Sequence, residues 1–163
     1  MHNIPVLTAE GRGLAEAWEQ SVLTLHRYGC DVATMYDPPN TPPSKDATMM
    51  ITVREPMAEP MIHKDIPGGL EHLQEYLLEV IEGIKDHWVR DPSDPDDTRW
   101  EYTYHQRLFC YTVPGIEGRF DQVEDMARKL AEVPYTRRAQ AVTWNVWEDA
   151  ACDDPPCLQS IWC

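Results

Sequence analysis

FDQVEDMARKLAEVPYTRRAQAVTWNVWEDAACDDPPC, residues 120–157, is the stretch that decides the architecture. Its first part has a helical period. Phe120, Val123, Met126, Ala127 and Leu130 fall on one face of a helix over 119–132. Arg137 and Arg138 follow, and then RAQAVTWNVW at 138–147 alternates apolar and polar residues as a strand does. EDAACDDPP at 148–156 has the composition of a loop, and CLQSIWC at 157–163 starts another strand. Helix, strand, loop and strand in succession predict an α/β or α+β class.

The rest of the chain agrees with that class. Leu14, Trp18, Val22 and Leu25 recur at three- and four-residue spacing in a helix over 12–28, with Gly29 where a C-cap would stand. DPPNTPPSKD at 37–46 is a loop, because its prolines exclude regular structure. TMMITVR at 48–54 puts Met49, Ile51 and Val53 on one face of a strand. Leu70, Leu73, Leu77, Val80, Ile81 and Ile84 make one apolar stripe on a helix over 69–86. DPSDPDDT at 91–98 is an acidic loop. WEYTYHQRLFCYT at 100–112 reads as strand or irregular chain, and Pro114-Gly115 breaks the chain after it.

Length and composition bound the function. The 163 residues suffice for a single domain over 1–163. A net charge of −14 opposes a duplex-binding surface, so a nucleic acid polymer is not an expected partner. No stretch approaches the roughly 20 apolar residues that span a bilayer. The opening Met1-His2-Asn3-Ile4-Pro5 lacks the pattern of a secretory signal, which makes the cytoplasm the default address. Five cysteines, an odd number, do not read as a disulfide framework. Cys152 and Cys157 have no second pair elsewhere, so no metal site is expected.

Two features carry chemistry. Arg137-Arg138 sets two guanidinium forks at one point, and such forks bind phosphate bidentately. The alternative is a solvent-facing pair that offsets nearby acids. Cys157 follows Pro155-Pro156, which fix the backbone ahead of the thiol. A thiolate beside guanidinium groups is a competent nucleophile, whereas a cysteine by itself is more often a small apolar core residue.

In combination these residues resemble thymidylate synthases. Asp121-Gln122, Arg137-Arg138, Trp144-Asn145 and Pro156-Cys157 stand in the order of that family's helix, arginine pair, strand and Pro-Cys nucleophile. Cys157 lies 19 positions after Arg138, the family's spacing. The helix at 69–86 resembles the family's long helix, although a register ending on Glu82-Gly83 puts Tyr76 where a catalytic glutamate belongs, with Glu75 one residue away. After the nucleophile, Leu158 and Trp162 depart from the family's usual histidine and glutamine. The wording there is closer to an archaeal-type branch.

The resemblance implies a mixed sheet flanked by helices, in a domain that lacks the family's C-terminal part. It implies folate-dependent C5 methylation of a pyrimidine deoxynucleotide, dUMP to dTMP, with Cys157 adding to C6 and 5,10-methylenetetrahydrofolate as cofactor. Glu75 is then the candidate glutamate. Arg137 and Arg138, shared across a homodimer, and Arg12 would bind the phosphate. Tyr104, Asn145 and Trp144 are candidate pocket residues. A cytidylate or uridylate hydroxymethylase, and a non-catalytic nucleotide-binding or interaction module, are the alternatives. If the 163 residues are the whole molecule, weak or absent turnover is expected unless another chain completes the pocket.

Overall fold

The computed structural model describes residues 3–35, 37–91 and 93–163. The first two residues of the quoted N-terminus, and one residue of the acidic stretch 91–98, lie outside them. Helices and strands mix along the chain, an α/β fold. It divides into two compact units, one ending at Pro67 and one beginning at Gly68.

The first unit contains β1 (Val6–Gly11), α1 (Leu14–Tyr28), β2 (Cys30–Val32), β3 (Ser44–Asp46) and β4 (Thr48–Val53). β1 and β4 pair in parallel, from Val6 opposite Thr48 to Gly11 opposite Val53. β2 and β3 pair antiparallel. A Cβ at Gly11 would collide with the α1 backbone at Glu16 and Ala17, so glycine permits the close approach of helix and strand. The same proximity corrects the expected inner face of α1. Ala15 and Ala17 are buried, while Leu14 and Val22 are exposed, because the narrow gap admits only small side chains. Gly29 ends α1 in an extended rather than left-handed conformation, its N–H donating to Leu25 O at 2.8 Å. β3 forms inside the proline-rich segment, directly after its last proline, Pro43.

The second unit contains α2 (Leu70–Glu82), a 3₁₀ turn (Asp86–Trp88), α3 (Tyr104–Phe109), β5 (Tyr111–Val113), β6 (Ile116–Phe120), α4 (Gln122–Glu132), β7 (Gln140–Val142), α5 (Val146–Asp149) and β8 (Ser160–Trp162). β5 and β6 form a hairpin around Pro114-Gly115, and β7 pairs antiparallel with β8. Leu108, Met126, Ala139 and Ala141 are the buried core, with Val80, Val123, Leu130 and Ile161 packed against it.

Four expectations change in this unit. The α2 stripe meets the core only through Val80; Leu70, Leu77 and Ile81 remain exposed. Residues 104–109 are helical, because the Thr103 hydroxyl accepts from Gln106 N–H and caps α3. α4 starts after Asp121, whose carboxylate accepts from Glu124 N–H at 2.8 Å; Phe120 therefore belongs to β6 and is exposed, as is Ala127. β7 stops at Val142, where the expected longer strand gives way to the turn into α5. No helix among the described residues is long and apolar enough to cross a membrane.

Candidate functional site

The backbone next to Cys157 is held from two sides. Leu158 N–H donates to the Tyr104 hydroxyl at 3.0 Å, and the hydroxyl of buried Thr143 donates to Leu158 C=O. Thr143 N–H also donates to Gln159 C=O at 3.0 Å. The turn before α3 and the end of β7 thus fix the segment that leaves the cysteine. Pro156 is buried and Cys157 is exposed, so the chain anchors the residue in front of the thiol and presents the thiol itself.

A small cleft of about 190 Å³ opens beside this segment, lined by Tyr76, Glu79, Trp100, Tyr102, Tyr104 and Asp154 among others. Tyr102 and Tyr104 meet edge to face with centroids 5.4 Å apart. Burial raises the Tyr102 phenol well above its usual range, and its hydrogen bond to Tyr104 and the nearby Asp154 and Cys157 add to the rise. Burial also raises Tyr76, with help from Tyr104 and Glu79. Trp100 is brought in by hydrogen bonds with Trp88 and Arg90 across the acidic loop.

Glu75 does not line this cleft. Its half-exposed carboxylate pairs with Lys85 Nζ at 2.8 Å, and that ammonium holds it below the ordinary carboxylate range. Glu79, one turn further along α2, is the α2 acid at the cleft; its side chain is 15% exposed and lies 3.3 Å from Lys85 Nζ. Helical spacing from Tyr76 could have pointed to Glu79. Sequence reasoning also missed Tyr102 and Asp154.

A larger cleft of about 750 Å³ is lined by Arg107, Asn145, Trp147, Glu148 and Asp149, with Tyr102 also on its wall. Buried Arg107 reaches Asp149 at 2.7 Å and Glu148 at 2.8 Å, and its guanidinium lies 5.6 Å from the Tyr102 ring. Asp149 accepts from Asn145 N–H at 2.5 Å, and Asn145 Nδ2 donates to Glu148 at 3.0 Å. Buried Asn145 Oδ1 has no partner among the described residues. Asn145 therefore organises the turn into α5. Trp144 is half-buried and lines neither cleft.

Arg137 and Arg138 are exposed, and among the described residues neither guanidinium has an ion-pair partner. The Arg137 carbonyl accepts from Trp162 Nε1 at 3.3 Å, and Arg138 N–H donates to Thr136. Arg12, in the first unit, pairs with Glu55 at 3.1 Å. No group of three or more metal-ligating side chains stands together among the described residues.

A Methanococcoides burtonii protein named "Putative thymidylate synthase" is 28% identical over 91% of this chain. A Methanosarcina mazei protein of the same name is 29% identical over 90% of it. These likenesses support a divergent thymidylate synthase-like family. A third thymidylate synthase-like relative, from Methanopyrus kandleri, is 30% identical over 95% of the chain, which covers 64% of that protein. The chain spans 59% and 55% of the lengths of the Methanococcoides and Methanosarcina mazei relatives. No family model and no solved structure matches.

Proposed function

We propose that this chain, read as one thymidylate synthase-like domain over residues 1–163, carries the nucleophile for folate-dependent C5 methylation of a pyrimidine deoxynucleotide, dUMP to dTMP. The observation that supports this reading best is the hydrogen bond from Leu158 N–H to Tyr104. It ties the segment leaving Cys157 to the wall of an aromatic, acid-bearing cleft. The likeness to the named relatives agrees with a transferase-type enzyme.

The Cys157 thiolate would add to C6 of the pyrimidine. The S–C6 bond forms, the C5–C6 π pair moves through C5 onto O4, and no group leaves. This makes C5 nucleophilic and divides one hard step into two easier ones. Glu79, which lines the cleft where Glu75 does not, would order the water and move protons at the ring. Arg137 and Arg138 would hold the phosphate from the second subunit of a homodimer, with Arg12 as a further phosphate ligand. The exposed forks of Arg137 and Arg138, without an ion-pair partner among the described residues, suit that role.

The aromatic faces of Trp100 and Tyr102, beside the carboxylates of Glu79 and Asp154, fit a flat heterocycle bearing N–H donors, and these residues would hold the folate. 5,10-Methylenetetrahydrofolate, when bound, supplies the one-carbon unit and the hydride that completes the methyl group.

Calorimetry with dUMP tests the reading. Binding is expected, weakened about tenfold or more by Arg138→Ala through loss of a charge-assisted contact. Absence of dUMP binding would overturn it. A covalent adduct with 5-fluoro-dUMP and methylenetetrahydrofolate, abolished by Cys157→Ser, would identify a folate-dependent one-carbon transferase, and a methyl rather than hydroxymethyl product from dUMP would identify the methylating enzyme. Binding without an adduct would favour the module reading, which the exposed arginine pair also suits.

A further inference from the structure

We infer that Thr143 is a positioning residue for the Cys157 thiol, acting through the backbone of Leu158, a role that rests on the functional reading above. Cys157 is exposed, so packing does not fix its direction. The backbone on either side must do so. In front of it stand Pro155 and buried Pro156, whose rings lock their own φ. Behind it stands Leu158. The Leu158 N–H shares a planar peptide unit with the Cys157 carbonyl. Its bond to the Tyr104 hydroxyl at 3.0 Å therefore sets the turn of the chain as it leaves the cysteine.

A single bond at one end leaves Leu158 free to pivot at the other. Thr143 removes that freedom. Its hydroxyl donates to Leu158 C=O and its N–H donates to Gln159 C=O at 3.0 Å, so one residue holds two successive carbonyls beyond the cysteine. Thr143 is itself a rigid post. It is fully buried, and its branched side chain has few rotamers open to it. Its N–H also belongs to the same peptide unit as the Val142 carbonyl, which accepts from Gln122 Nε2 at 2.7 Å. The same Nε2 donates to Arg107 C=O at 2.7 Å, and Gln122 Oε1 accepts from Val142 N–H at 3.0 Å. The segment behind the thiol is thus tied through Thr143 and Gln122 to α4 and α3.

A valine at this position would fill the same space and suit the end of β7 equally well. What it lacks is the hydroxyl. The Leu158 carbonyl then loses its donor, and Tyr104 alone restrains the residue after the cysteine. Thr143 lines neither cleft, so nucleotide binding does not depend on it directly. A reacting atom misplaced by about 1 Å loses rate steeply. The effect should therefore fall on formation of the covalent bond and leave affinity alone.

Thr143→Val and Thr143→Ser in the full chain, each first checked for folding by circular dichroism, test this role. Amide exchange is read residue by residue by NMR, with the amides of α4 as the control for general opening of the unit. Thr143→Val should speed exchange at Leu158 about fivefold, as expected for losing one hydrogen bond, and leave α4 unchanged. Thr143→Ser keeps the hydroxyl and should stay within about twofold of the wild type. Unchanged exchange at Leu158 in Thr143→Val, an equal rise in Thr143→Ser, or a rise in α4 that keeps step with Leu158 would overturn the inference.

A second arm follows adduct formation with saturating 5-fluoro-dUMP and methylenetetrahydrofolate. Its rate should fall about fivefold or more in Thr143→Val and return in Thr143→Ser, while dUMP affinity stays within about twofold. Weakened affinity with an unchanged rate would overturn the positioning role. No adduct in the wild type counts against the functional reading alone, since the exchange measurement uses no nucleotide. If Thr143→Val does not fold, Gln122→Asn takes its place. Its amide is one methylene short of the Val142 carbonyl, so exchange at Thr143 and Leu158 should rise about fivefold, and no rise there would refute the inference.

Discussion

Replacing Arg107 by Met should unfold the second unit's core more readily than any surface change. The Arg107 side chain is 6% exposed and that of Asp149 is 2% exposed, with 2.7 Å between them. Removing the guanidinium leaves a buried carboxylate whose remaining contact is the Asn145 N–H at 2.5 Å. Breaking one member of a buried pair costs about 3–5 kcal/mol. The surviving Asn145 bond places this case near the lower end, about 3 kcal/mol. The Glu148 contact adds little, because that carboxylate is half-exposed. Met keeps an apolar stem against Tyr102, so the loss reports charge rather than a cavity. Urea unfolding followed by tryptophan fluorescence and circular dichroism measures it. Adding Asp149→Leu removes the stranded charge, and the double variant should recover about 1–2 kcal/mol of the loss, less the cost of an unpaired Asn145 N–H. A loss below about 1 kcal/mol for Arg107→Met, or a double variant no more stable than the single, would refute the reasoning.

Gln122→Leu should cost about 2–4 kcal/mol in the same assay, since the amide donates to Arg107 and Val142 carbonyls and accepts from Val142 N–H. Gly83→Ala should lower the melting temperature by an amount corresponding to about 1–3 kcal/mol. The residue sits at φ +65°, and a Cβ there would strike the His105 ring. Tyr102, whose phenol titrates higher in the folded chain than the usual value of about 10, stabilises the fold fully below that value. That contribution falls as pH rises from the unfolded toward the folded value, so stability should decline above pH about 10, and Tyr102→Phe should flatten the decline in a pH series of melting curves.

The three long helices were legible because each carries its own period. Their faces were less so, since burial depends on what stands opposite. Alanines rather than Leu14 and Val22 face β1, because Gly11 brings strand and helix too close for larger groups. α3 was hidden by the aromatics that lead into it, Trp100, Tyr102 and Tyr104, whose alternation mimics a strand. The signal against that reading was Thr103 followed three residues later by Gln106, a helix-start pattern. The hairpin of β5 and β6 was likewise announced by Pro114-Gly115, with Gly115 at φ +79° as a turn requires. At the site, motif order pointed to Cys157. The choice between Glu75 and Glu79 was not visible in one dimension, because both pair with Lys85 and only Glu79 also faces the cleft.

Gln122 meets Val142 as another strand would. Its side-chain amide accepts from Val142 N–H and donates to Val142 C=O, on the side of β7 turned away from β8. A free strand border is a template on which a foreign chain can add itself. Here a single side chain from a helix imitates one peptide unit and occupies that border. The residue that fastens α4 to β7 thereby also caps this border at Val142 against fibre-like self-association.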